Sequence, residues 1–134
     1  MAPRPTTRPP NRTRLYWAAD TVAHVTTDGY EAAGELLRAL AAPLRIGIVT
    51  ELAAGPRCVH ELVDTLGAAQ PLVSQHLRVL RGAGIVRGLR RGREITYSLT
   101  DEHVAHIVAD AISHSRETRD EADREAYEAQ REAL

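Results

Sequence analysis

Gln70-Pro71-Leu72-Val73-Ser74-Gln75-His76-Leu77-Arg78-Val79-Leu80 is the stretch that decides the fold. Leu72, Val73, Leu77 and Leu80 recur at helical spacing, Pro71 suits a first helical turn, and Gly82 and Gly84 close the run. A helix is predicted over residues 71–81. Gln70, Ser74, Gln75, His76 and Arg78 remain outside its apolar stripe, and Gln, Ser and Arg are types that reach base edges in a major groove. In front of it, Val59–Leu66 reads as a short helix with Leu62, Val63 and Leu66 inward, and Gly67-Ala68-Ala69-Gln70 is the turn between the two. Behind it, β-prone runs at 85–89 and 95–99 flank Arg90-Arg91-Gly92-Arg93, the pattern of a hairpin. Helix, tight turn, helix and basic hairpin together predict a winged helix-turn-helix, mainly α with a small β-hairpin. Arg90, Arg91 and Arg93 at the hairpin tip are placed to meet sugar–phosphate or a minor groove.

Two more helices precede this unit. Ala32, Leu36, Leu37, Leu40 and Ala41 form one apolar stripe; Leu44, Ile48, Val49 and Leu52 form the next, with Pro43 in its first turn and Gly55-Pro56 as its stop. After the hairpin, Thr100 or Asp101 caps a final helix running to about Arg116, whose apolar face is Val104, Ile107, Val108, Ala111 and Ile112. The chain divides into an Arg/Pro-rich arm (1–14) expected to be disordered, a DNA-binding and dimerisation domain (15–116) that opens with a short helix carrying Trp17, and a charged tail (117–134) that extends the helix or frays.

A length of 134 residues suits one domain, and with no Phe and 4% aromatics the core must come from Leu, Val, Ile and Ala. The net charge of −1 conceals segregation: residues 78–93 hold six Arg and no acid, whereas 117–132 hold seven acids. A basic run without acids, directly after a helix-turn-helix pattern, favours double-stranded DNA over a merely solvated surface. All 17 basic residues are Arg, which binds phosphate or guanine bidentately as Lys does not. The single cysteine, Cys58, excludes an internal disulfide framework and suits a reducing compartment. With neither a secretory signal nor a membrane-length apolar run, the protein is expected in the cytoplasm, with no membrane partner. No phosphate-cradling glycine loop, nucleophile elbow or zincin motif is present, so neither an enzyme nor a small-molecule substrate is expected.

The final helix carries Asp101-Glu102-His103 and, further along, His114-Ser115-Arg116-Glu117. The two histidines lie roughly 16 Å apart along the axis, yet eleven residues return to nearly the same face. Zinc–nitrogen bonds of about 2.0–2.1 Å mean that one chain supplies only half a site. Two helices laid antiparallel bring Asp101 and His103 of one chain beside His114 and Glu117 of the other, so a homodimer with two shared Zn²⁺ sites is expected. Two imidazoles and two carboxylates suit tetrahedral Zn²⁺, with Co²⁺ as a substitute. Ni²⁺ fits less well, since more ligands, such as His106, would have to join. His106 and Asp110 otherwise flank the same stripe.

Leu36-Leu37-Arg38-Ala39-Leu40-Ala41-Ala42-Pro43-Leu44-Arg45, Cys58-Val59-His60-Glu61-Leu62, the Val73-Ser74-Gln75-His76-Leu77-Arg78-Val79-Leu80 core and Arg93-Glu94-Ile95-Thr96-Tyr97-Ser98-Leu99 resemble the ArsR/SmtB family of metal-responsive repressors, and most of all its zinc-sensing branch. The resemblance covers residues 35–117. It implies a homodimer formed through N- and C-terminal helices that releases its operator when Zn²⁺ binds to Asp101, His103, His114 and Glu117. It further implies that a ligating histidine, here His114, bonds through its free ring nitrogen to main chain near Gly84. Some relatives bind soft metals through cysteines at the position of Cys58. Here the second cysteine is replaced by His60 and the wing position is Glu94, so Cys58, His60 and Glu61, with Glu94 and His24 nearby candidates, make a second metal site to weigh against a plain core cysteine. The alternatives on the same fold are a nickel or cobalt sensor and a thiol redox sensor acting through Cys58.

Overall fold

The computed structural model describes residues 27–133, and its elements run α1 (Thr27–Leu40), α2 (Pro43–Ala53), β1 (Arg57–Cys58), α3 (Val59–Leu66), α4 (Gln70–Gly82), β2 (Val86–Arg91), β3 (Glu94–Leu99) and α5 (His103–Glu132). The arm over 1–14, the helix over 15–25 with Trp17, and His24 lie outside the described residues. Residues 36–133 pack as one body, and residues 27–35 are helical.

Each helix is delimited by local chemistry. Pro43 opens α2, where its missing N–H is no loss because first-turn N–H groups have no helical partner. Gly67 ends α3 at φ 64, ψ 29, a left-handed conformation that only glycine adopts cheaply, and this sharp stop redirects the chain into α4. Ile48, Val49, Leu52, Leu62, Val73, Leu77, Leu80 and Ile85 form the centre of the core, closed by Val104 and Val108 from α5. The helix-turn-helix pair is therefore held against α2, and α5 packs on α2 through the same core.

Two large apolar residues of the predicted apolar stripes face outward. Leu72 is 44% exposed and Leu37 54% exposed. A helix turns about 100° per residue, so Leu72 lies about 100° round from Val73 and about 140° from Leu77, at the edge of their face, and Leu37 likewise lies about 100° from Leu36. The expected hairpin is also larger than a hairpin. β1 adds to it, giving a three-stranded antiparallel sheet in the order β1-β3-β2, with Arg57 opposite Tyr97 and Cys58 opposite Thr96. A two-residue strand has no alternation to detect, and its pairing exists only once β3 lies beside it. The last helix does not stop near Arg116 but continues to Glu132, and every described residue from Ser113 onward is exposed.

Candidate nucleic-acid interface and metal centres

The reading helix α4 presents Gln70, Gln75 and Arg78 to solvent, with Ser74 and His76 half-buried. His76 is not free: its Nδ1 lies 3.2 Å from Arg45 Nη1. The wing turns at Gly92-Arg93, pairing Arg91 with Glu94, and Arg90, Arg91 and Arg93 are all exposed at its tip. Successive strand residues face opposite ways, so Arg90 and Arg91 project to different sides of the sheet. Three of the six Arg of the acid-free run, Arg90, Arg91 and Arg93, thus gather at one hairpin tip, while Arg78 and Arg81 lie on α4 and Arg87 in β2.

At the start of α5, Asp101 Oδ1 accepts the His103 backbone N–H at 2.9 Å. Glu102, formally outside the helix, has helical angles of φ −82, ψ −15, so Asp101 is the residue that caps the first turn. The same Oδ1 stands 3.3 Å from His103 Nδ1, with both side chains open to solvent and His103 91% exposed. Two ligand atoms at about 2.0–2.1 Å from one zinc, at a tetrahedral angle, lie roughly 3.3 Å apart, so this pair has the spacing of a chelate. Asp101 and His103 share an open groove with His106 and Asp110. His114 and Glu117 are exposed further along the same helix.

A second group of donors forms within one chain. Among the described residues, Cys58, His60 and Glu94 are the group of at least three metal-type side chains whose donor atoms lie within 4.8 Å of one another. Cys58 Sγ is 3.2 Å from His60 Nδ1, and that nitrogen is 3.4 Å from Glu94 Oε1. β1 makes this cluster: Cys58 pairs with Thr96, and Glu94 sits two residues along β3 on the same face. Glu61, by contrast, is engaged in capping α3. Its Oε1 accepts the Cys58 backbone N–H at 3.1 Å and the Cys58 thiol at 3.0 Å. Burial, followed by the hydrogen bond to Glu61, pushes the Cys58 thiol above its ordinary pKa. The Cys58 thiol bond, and then its backbone bond, hold the Glu61 carboxyl below the usual carboxylate range. The cleft over this cluster is also lined by Gln70 and Arg93, from the reading helix and the wing tip.

Every member of both candidate metal groups is visible in the sequence, but two residues gain their roles only from the fold. Nothing in the sequence around Arg45 signals its partner, because His76 is 31 positions away. Thr100 was only an alternative cap; its side chain donates instead to Gly84 O at 2.8 Å.

A short helix, left-handed glycine turn, exposed polar helix and basic wing define a winged helix-turn-helix regulator. The model for the bacterial regulatory proteins of the arsR family matches residues 42–87. The transcriptional repressor SmtB of Mycobacterium tuberculosis is 63% identical over 87 residues, covering 65% of this chain and 64% of that protein's length. A repressor SmtB homolog of Synechocystis is 32% identical over 94 residues, covering 70% and 71%. The crystal structure of the repressor BigR from Xylella fastidiosa superposes with a TM-score of 0.56 at 33% identity, over 77% of this chain and 94% of that one. The chain belongs to the ArsR/SmtB family of bacterial transcriptional regulators. These relatives are regulators of transcription rather than enzymes. Among the described residues no helix is long and apolar enough to cross a membrane.

Proposed function

We propose that this chain is a zinc-responsive transcriptional repressor that binds operator DNA as a homodimer and lets go when Zn²⁺ bridges its C-terminal helices. The observation that carries the reading is the Asp101–His103 pair, held 3.3 Å apart at the start of α5 and open to solvent. Support comes from His114 and Glu117, exposed at i and i+3 about three turns along the same helix, and from the family membership. Asp101 and His103 of one protomer, with His114 and Glu117 of the other, are the ligands of each shared site. Bound zinc supplies a tetrahedral cross-link between the two helices. Exposed Leu37 and the groove lined by Ile46, Ala111 and Ile112 supply apolar surface for the second copy. Gln70, Ser74, Gln75 and Arg78 read base edges, while Arg90, Arg91 and Arg93 hold the backbone. His76 contributes by positioning, since Arg45 occupies one ring nitrogen.

Cys58, His60 and Glu94 form a second, intrasubunit candidate for the same metal, with Glu94 taking the carboxylate role first given to Glu61. The thiol must lose its proton to bind, so metal binding here weakens as pH falls.

Duplex DNA selected from a random pool, titrated with the protein under zinc, cobalt, nickel and a mild oxidant in parallel, tests the proposal. Zinc should weaken binding by a factor in the usual allosteric range, about 5–150-fold, and Asp101→Ala with His103→Ala should abolish that response. A response to oxidant or nickel that zinc does not produce would replace the zinc assignment.

A further inference from the structure

Thr100 ties the Asp101–His103 pair to the end of the reading helix within a single chain. Its backbone N–H donates to Ile85 O at 3.0 Å, and its hydroxyl donates to Gly84 O at 2.8 Å. Both acceptors belong to the turn that terminates α4. There, Gly84 N–H donates to Arg81 O and Ile85 N–H to Leu80 O, each at 3.0 Å, with Gly84 left-handed at φ 73. Those paired bonds are the Schellman arrangement, which fixes the direction in which the chain leaves the helix. The motif uses the N–H groups of Gly84 and Ile85 and leaves their carbonyls pointing onward; Thr100 takes both. On its other side, Thr100 is joined through one planar peptide to Asp101, which caps α5 and stands 3.3 Å from His103 Nδ1.

We propose that Thr100 is the positioning residue of the metal response, passing a reorientation of Asp101 to Gly84 and Ile85 and thereby to the pitch of α4. This rests on the zinc reading above and goes beyond it, because the link lies inside one protomer and its coupling residue, Thr100, is not itself a metal ligand. The hydroxyl is the part that matters. The backbone N–H bond persists in any non-proline substitution, whereas the side-chain bond is removed by Thr100→Val, which keeps the β-branched shape, and is retained by Thr100→Ser.

Three measurements on the wild type, Thr100→Val and Thr100→Ser separate the roles: zinc affinity by competition with a chelating dye, affinity for the selected duplex without metal, and the same affinity with zinc. In Thr100→Val, zinc affinity and metal-free DNA affinity should stay close to wild type. The zinc-induced weakening should shrink by about two- to tenfold, the span of one net hydrogen bond, and Thr100→Ser should restore it. A Thr100→Val chain that responds to zinc as the wild type does overturns the coupling role alone. Loss of metal-free DNA binding together with a fall in melting temperature also overturns it, in favour of a purely structural bond. A wild type indifferent to zinc overturns the proposed function, and this inference with it.

Discussion

Arg45 Nη1 and His76 Nδ1 meet at 3.2 Å where α2 crosses α4. A guanidinium only donates, so Nδ1 is the acceptor and the ring proton resides on Nε2. The same Arg45 donates through Nε to Ala39 O at 2.6 Å and through Nη2 to Arg38 O at 3.4 Å, carbonyls of the last turn of α1. One side chain therefore fastens the reading helix to the α1–α2 junction.

Arg45→Ala should lower unfolding free energy by about 1–3 kcal/mol, since it strands half-buried acceptors, and should weaken DNA binding without touching zinc affinity. His76→Gln, whose amide oxygen can still accept, should lose less on both counts. Denaturant titration and anisotropy with the selected duplex measure the two effects. Equal DNA affinity in Arg45→Ala and wild type would deny the pair any part in positioning α4.

Core and surface leucines should separate cleanly. Leu62 and Leu80 are 0% exposed, so Leu→Ala at either should cost about 2–5 kcal/mol. Leu37 is 54% exposed, and Leu37→Asp should leave the protomer's fold intact while lowering the dimer fraction in sedimentation equilibrium. A Leu37→Asp chain that stays fully dimeric would move the interface elsewhere.

The proposed shared zinc site predicts complementation between defective chains. Asp101→Ala with His103→Ala in one chain, and His114→Ala with Glu117→Ala in another, should each remove high-affinity zinc binding. A mixed dimer regains one intact site of the two, because each complete set draws one half from either chain. With Cys58→Ser in both chains to remove the second candidate site, tetrahedral cobalt absorption that appears only on mixing would register this; absorption retained by either mutant alone would contradict bridging.

The α3 cap should leave its mark on the pH profile of stability. Because the folded pKa of Glu61 is lowered, its contribution is complete above about pH 4.3, the ordinary value, and disappears as pH falls through the folded value. Because that of Cys58 is raised, its contribution is complete below about pH 8.5 and disappears as pH rises through the folded value. Glu61→Gln, which can still cap but does not titrate, should flatten the acid limb of melting temperature against pH, and Cys58→Ser the alkaline limb. Unaltered limbs in these variants would detach the cap from the pH response.

Salt dependence should divide the wing from the reading helix. Arg93→Ala should weaken binding to all sequences alike and reduce the slope of log K against log salt by about one. Gln75→Ala should instead relax preference at one base pair, by about 1–3 kcal/mol, with the slope unchanged. If both variants change only the slope, Gln75 does not read bases.

The helices were legible in the sequence because their boundaries are set locally. Pro43 and Gly67 act on the backbone through their own covalent structure, and the Val73, Leu77 and Leu80 stripe follows from helical pitch alone. The Asp101–His103 pairing was legible for the same reason, since both residues lie within one turn. What the tertiary structure decided are contacts between residues distant in sequence. β1 exists only by pairing with β3, and that pairing carries Glu94 to Cys58 and His60 while Glu61 turns away to cap α3. Arg45 finds His76, and Thr100 finds Gly84, only after α2, α4 and the wing have packed around a common core. Local periodicity encodes which face of an element is buried, but the partner across that face depends on how the elements are brought together.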